Sequence, residues 1–459
     1  MTKTKEKNKG IFEKFTNFCV SIIQKYLPDP FLFCAILTVV VFVIAIPITK
    51  QSPMSIINYW TGGFWSLLAF SMQMALVLVT GHTMASSPLF EKGLSSMASR
   101  LKSPTQAIIG VTIISFIASW INWGFGLVIG AIFAKEIAKK VKNVDYRLLI
   151  ASAYTGFLVW HGGLSGSIPL KLASGGGLEQ ATLGAVTKAI PTSETIFSTT
   201  NWIILAILFV SLPLINKAMH PKKLEDIVTI DNSLLTEIKE EKLNYSEMTP
   251  AEKLENNKLI SIILGTMGFA YIISYFTKNG FALNLDIVNF VFLFSAIILH
   301  GTPKKFLNAI KEASKGAAGI ILQFPFYAGI MGMMVGQGPT GISLAGAMSN
   351  FFVGISSATT FPLFTFLSAG IVNFFVPSGG GQWAVQAPIM MPAGAALGVP
   401  AAKTAMAIAW GDAWTNMIQP FWALPALGIA GLGAKDIMGF CLIILLYSGL
   451  VISTVLMFF

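Results

Sequence analysis

The sequence predicts an all-α polytopic membrane protein made of inverted repeats, each with a re-entrant helical hairpin and a broken transmembrane helix. Three observations carry this. Of 459 residues, 54% are hydrophobic and only 11% are charged, with a mean hydropathy of +0.70, where a soluble chain would carry about 25% charge. Apolar runs near the roughly 20 residues that a helix needs to cross a bilayer recur along the chain, without the short alternating segments of a β-barrel. Two longer apolar stretches, 104–134 and 358–397, are interrupted by residues that no continuous helix accommodates.

The N-terminus comes first. Lys3, Lys5, Lys7 and Lys9 precede an amphipathic stretch, Ile11–Tyr26, that ends at Pro28-Asp29-Pro30. It lacks the apolar core and small-residue cleavage site of a secretory leader. Residues 1–30 are expected to be a cytoplasmic arm and an interfacial helix. Full crossings are expected near 31–48, 62–85, 148–170, 200–216, 258–276, 284–299, 316–336, 401–424 and 437–457, with a short Gly- and Ser-rich segment at 338–354.

The two hairpins need a separate argument. In 358–397, Asn373-Phe374-Phe375-Val376-Pro377-Ser378-Gly379-Gly380-Gly381-Gln382-Trp383 interrupts the run. Proline removes a donor, and each interior glycine costs about 1 kcal/mol of helix stability. No Lys, Arg, Asp or Glu lies between Lys315 and Lys403, so nothing draws this break into bulk water. Broken backbone at membrane depth survives only where it is buried in protein or lines a cavity. The same reasoning applies to 104–134, broken at Ser119-Trp120-Ile121-Asn122-Trp123-Gly124-Phe125-Gly126. Each is read as two half-helices meeting at a polar tip.

With the N-terminus inside, 26 of the 31 Lys and Arg fall in inside loops, leaving Lys50, Lys171, Lys188, Lys278 and Lys403 outside. That bias fits cytoplasmic basic loops. The net charge of +10 therefore marks a membrane protein and implies no nucleic acid. The mixed-charge segment 217–257, with a capping pattern at Thr249-Pro250-Ala251-Glu252, reads as a cytoplasmic connector. It joins a first half, 31–216, to a linking helix and second half, 258–459. Cys19, Cys34 and Cys441 have neither metal spacing nor a disulfide framework.

Each half carries a second break. Asn122 is followed 38 residues later by Trp160 in Trp160-His161-Gly162-Gly163-Leu164-Ser165-Gly166-Ser167-Ile168-Pro169. Asn373 is followed 37 residues later by Trp410 in Trp410-Gly411-Asp412-Ala413-Trp414-Thr415-Asn416-Met417-Ile418-Gln419-Pro420. With one hairpin entering from the cytoplasm and the other from outside, this is an inverted repeat. Such a fold brings half-helix N-termini and unwound carbonyls together near the midplane, the geometry of a secondary transporter for an anionic solute.

The polar residues at the breaks are nearly all neutral. Asn122, Ser165, Ser167, Asn373, Ser378, Gln382, Thr415, Asn416 and Gln419, with Gly124, Gly126, Gly163, Pro377, Gly379, Gly380 and Gly381 at the tips, are the candidate contacts for substrate or ion. No Lys or Arg sits in a span interior, which argues against an arginine clamp for a dicarboxylate or phosphate. The lining suits a small carboxylate with a short apolar tail, and the tryptophans concentrate there. His161 and Asp412 are the ionisable groups at the breaks, and an ionisable group at this depth is a functional candidate. Asp412 could bind a coupling cation or carry a proton; its structural alternative is to cap the second half-helix. His161 could titrate near neutral pH or simply bond a backbone carbonyl. His82 is read as structural, and His220 and His300 as solvated. A sodium site near Asn122, Asn373 and Asp412 is the metal expectation, with no resident cofactor. The chain has neither a Walker motif nor a nucleophile elbow, so it is read as no enzyme. A transporter of another organic anion and a passive anion channel stay open.

The three long motifs around Trp160, Ser378 and Asp412, the latter extending through Phe421-Trp422, with Gln386-Ala387-Pro388 and the early Tyr26-Leu27-Pro28-Asp29-Pro30-Phe31, resemble the bacterial short-chain fatty acid transporter family across essentially the whole chain. The resemblance implies uptake of acetoacetate- or butyrate-like acids across a bacterial inner membrane, coupled to protons or sodium ions. Through the wider ion transporter superfamily it implies inverted repeats with paired hairpins, and a homodimer.

Overall fold

The computed structural model describes residues 11–175, 177–231, 248–280 and 285–459. Among these the regular elements are helices, and one isolated antiparallel bridge joins Gln337 to Ser343. Among the described residues, six helices are long and apolar enough to cross a membrane.

Polar side chains take up the orphan N–H groups of a first helical turn, and proline at the first position loses no bond. That pair of residues starts many helices here. α1 (Ile11–Tyr26) fills the stretch expected to be interfacial. α2 (Pro30–Thr49) begins on Asp29, which accepts from Phe31 N at 2.9 Å. α3 (Pro53–Gly63) begins on Ser52, and α4 (Leu68–Ala85) follows a turn. The expected crossing 62–85 is thus shortened at its start. Gly63 closes α3 against the backbone of 328–332, where a β-carbon would lie 2.6 Å from Ala328 O.

α5 (Pro88–Ser99) occupies what reads in sequence as a loop. The first hairpin is α6 (Pro104–Ile121) and α7 (Trp123–Lys140), which runs six residues beyond the expected 134. α8 (Tyr146–Thr155) opens the expected crossing 148–170, but it tightens into a 3-10 turn from Gly156 to Gly162, four residues before the expected break. The turn starts at a close approach: a β-carbon on Gly156 would sit 2.4 Å from the Ser115 backbone of α6. α9 (Ser167–Ser174), α10 (Leu178–Ala181) and α11 (Thr199–Ala218) complete the first half.

α12 (Pro250–Glu255) carries the expected capping box between Thr249 and Glu252; connector residues 232–247 and the arm 1–10 lie outside the described residues. α13 (Lys258–Asn279), α14 (Leu285–His300), α15 (Pro303–Ser314), α16 (Ala318–Val335) and α17 (Leu344–Gly354) follow. The second hairpin is α18 (Phe361–Asn373) and α19 (Gly379–Ala396). α20 (Ala401–Thr415) passes through a single turn, Asn416–Ile418, into α21 (Pro420–Ala430), so 401–424 is broken as expected. α22 (Ala434–Phe458) closes the chain and packs against α1 through Gly439 and Val20.

α7, α8, α20 and α21 are buried along most of their length, whereas α2 and α13 turn large apolar side chains such as Val39, Met267 and Ile273 outward. Those outward faces suit lipid. His220 and His300 are not simply solvated. His220 Nε2 accepts from Asp145 N at 3.2 Å, and a ring nitrogen of His300 lies 2.8 Å from Thr83 O.

Candidate functional site

Each hairpin tip is tied by hydrogen bonds to a helix break of its own half. In the first half, Asn122 caps α7 by accepting from Phe125 N at 3.0 Å. Ser165 accepts from Trp123 N at 3.0 Å, and Leu164 N donates to Trp120 O at 2.8 Å. In the second half, Asn373 donates to Asp412 O (2.8 Å) and Thr415 Oγ1 (2.9 Å), Thr415 donates to Gly370 O (2.9 Å), and Gln419 donates to Asn373 O (3.1 Å). Ser378 caps α19 by accepting from Gly381 N at 3.3 Å. Gln382 bridges the hairpin to Ala369 O and hands on to Gln386, which reaches Ser349 and Ser368.

The two breaks are also joined to each other. Trp160 donates to Asn416 Oδ1 at 3.1 Å, and Tyr154 to Asn416 O at 2.6 Å. In the opposite direction, Trp410 donates to Asn201 Oδ1 at 3.0 Å, and Asn201 donates to Gly162 O at 2.9 Å. Trp123, Phe157, Trp160 and Trp422 form one aromatic cluster beside the first break.

At the centre, His161 Nδ1 lies 2.8 Å from Asp412 Oδ2, both side chains being fully buried. The approach is close but oblique, and neither carboxylate oxygen receives a well-aligned hydrogen bond among the described residues. His161 Nε2 accepts from Ile168 N at 3.3 Å, which places the ring proton of the neutral imidazole on Nδ1, facing the carboxylate. The ring stacks on Trp160 with centroids 3.9 Å apart. Gly379, at the second tip, presses close to the same ring: a β-carbon there would come 2.8 Å from His161 Cε1 and 3.0 Å from Ser167 Cβ.

The structure thus brings His161, Ser167, Gly379 and Asp412 together, and puts Asn373, Thr415, Asn416 and Gln419 beside them. Asp412 is no helix cap, since it stands inside α20. Much of the expected polar lining is already spent on the fold. The Asn122 and Ser165 oxygens each accept one backbone N–H of α7, and of the residues expected at a sodium site Asn373 and Asp412 adjoin. Unspent buried polar atoms include Asn373 Oδ1, Gln382 Oε1, Asn416 Nδ2 and Gln419 Oε1. Ser167, Ser378 and Gly381 are half-buried and Gly380 exposed, so the open side of the site lies at the second tip. Gly124, Gly126 and Gly163 pack the first tip, and Pro377 is buried at the second. Sequence reasoning missed Asn201, although an amide inside the apolar run 199–218 was a readable signal.

The profile described as "Short chain fatty acid transporter" matches residues 11–459. This chain belongs to that family. Two relatives named "Putative short-chain fatty acid transporter" support the assignment. The one from Escherichia coli strain K12 is 45% identical over 439 residues, covering 95% of this chain and 98% of the relative. The one from Haemophilus influenzae is 45% identical over 443 residues, with the same coverage. The short chain fatty acid transporter family supplies transporters, not enzymes, and this member is a multi-pass membrane protein.

Proposed function

We propose that this protein imports small monocarboxylates such as butyrate or acetoacetate, by cation symport through alternating access. The observation that carries this reading is the centre itself. Two hairpin tips and two helix breaks converge on neutral amides and hydroxyls with one buried His–Asp pair, and among the described residues no lysine or arginine joins them. Neutral donors at a helix start hold one carboxylate at modest desolvation cost; a second carboxylate would need the cationic partner that this site lacks. Ser378 with the Gly380–Gly381 backbone of α19, together with Ser167, takes the substrate carboxylate. Unspent amides and Asp412 serve the coupling ion, a proton or sodium ion. The halves 31–216 and 258–459 act as inverted repeats around this point, in a bacterial inner membrane with the N-terminus cytoplasmic.

Labelled butyrate uptake into liposomes holding the purified chain, with sodium and proton gradients imposed separately, tests the proposal. Expected is saturable uptake above protein-free liposomes that one gradient drives and excess succinate leaves intact. Competition by succinate would return a dicarboxylate substrate. Equilibration without accumulation under either gradient would return the passive channel.

A further inference from the structure

We propose that the coupling ion is a proton carried by the Asp412 carboxylate, with His161 as its positioning residue. This rests on the transport reading above and names the ion it left open. The pair offers an incoming proton one vacant position. His161 Nε2 already accepts from Ile168 N, so a second ring proton would set two N–H groups against each other. His161 Nδ1 holds its proton toward Asp412 Oδ2. Asp412 Oδ1 is fully buried and has no donor among the described residues. A buried carboxylate left short of donors is costly, and a proton removes that cost. The incoming proton therefore goes to Oδ1, forming one O–H bond and neutralising one carboxylate, and the imidazole stays neutral. When the proton leaves, the carboxylate falls back on the Nδ1–H of His161.

The titratable groups on the packed elements are few. α8 brings Tyr154, whose hydroxyl is spent on Asn416 O, with Tyr146 and Arg147 at its far end. α22 brings Cys441 and Tyr447, with Lys435 and Asp436 at its start. α9 brings Lys171, and α20 brings Lys403, nine residues and about 13 Å back along the helix. α7 brings Lys135, Glu136, Lys139 and Lys140, twelve or more residues past the tip, and α11 brings Lys217 at its far end. α6, α18, α19 and α21 bring none. Gly379 of the second tip touches the His161 ring. Substrate seated at that tip therefore meets the pair directly, which is the contact that coupling requires.

The test pairs transport with infrared spectroscopy of the full-length protein over the whole pH range in which it stays folded. The wild type should show a buried carboxylic-acid band that grows as pH falls. Asp412→Asn should lose that band while keeping the amide band of the helices. His161→Gln should keep it but change its dependence on pH, a change that a purely structural histidine would not produce. In liposomes, butyrate uptake by the wild type should follow an imposed proton gradient and ignore replacement of sodium by choline. Uptake by Asp412→Asn under that gradient should fall to the protein-free level, with Asp412→Glu restoring part of it. An unchanged band in Asp412→Asn, or wild-type uptake driven by sodium at equal pH on both sides, would overturn the inference. If the band behaves as expected but wild-type liposomes carry no butyrate, the pair stands and the substrate reading falls.

Discussion

Gly379 lies against His161 so closely that a β-carbon would come within 2.9 Å of the ring nitrogen Nε2. Its neighbour Gly380 has nothing within 4 Å of the same position. Two adjacent glycines in one tip therefore differ sharply in what they tolerate. Gly379→Ala should lower stability in detergent by roughly 1–3 kcal/mol, the cost of forcing bulk into a packed site. Gly380→Ala should leave the melting curve unchanged. Thermal unfolding followed by fluorescence separates the two.

Asn201 makes three bonds with one buried side chain, accepting from Trp410 and donating to Gly162 O and Ile196 O. Leaving such partners unpaired costs about 1–3 kcal/mol each. Asn201→Leu should lower the melting temperature more than any single cap substitution. A variant that melts like the wild type would mean that water replaces the amide.

Ser165 and Ser378 each accept from a backbone N–H at a helix start, but only Ser378 is proposed to meet substrate as well, so their variants should part company. Ser165→Ala removes an acceptor from the start of α7, at a cost of about 0.5–2 kcal/mol in stability. Asn373→Ala should behave like it, because its side chain ties Asp412 O to Thr415. Ser378→Ala should lower butyrate uptake with membrane content unchanged. Equal loss of protein and uptake in all three would reduce Ser378 to a folding residue. Western blotting of membranes beside uptake decides it.

Outside the membrane-spanning helices, His220 gives a pH dependence. Burial, partly opposed by the nearby Asp145 charge, holds its imidazole below the ordinary histidine value. The neutral ring accepts from Asp145 N, a bond that protonation removes. The folded state thus binds this proton less readily than the unfolded chain. The stability is present above about pH 6.5 and is lost as pH falls toward the lowered folded value. His220→Asn should flatten the drop in melting temperature between neutral and mildly acidic buffer.

The architecture was largely legible in the sequence. Pro, Gly and amides inside apolar runs announce both hairpins and both breaks, because those residues cannot continue a helix without help. α5 and α15 were not legible. Their charged faces looked like loops, and only the Ser87-Pro88 and Thr302-Pro303 starts hinted otherwise. The unwinding at Gly156 lies against Ser115, which no local pattern contains. The same holds for His161 and Asp412, seen as two separate candidates and found as one pair. Asn122 and Ser165 were read by residue type as ligand contacts; the sequence did not show that each side-chain oxygen also accepts a backbone N–H of α7. A neutral side chain at a break has two employers, and only coordinates show which one has it.

The bonds across the centre are unevenly placed. Trp160 to Asn416 and Trp410 to Asn201 pin the two breaks to each other in both directions, whereas the hydrogen bonds described for the second hairpin stay within its own half. The two breaks are thus bolted into one frame, and the second tip rests against the first half at Gly379 by contact rather than by a described hydrogen bond.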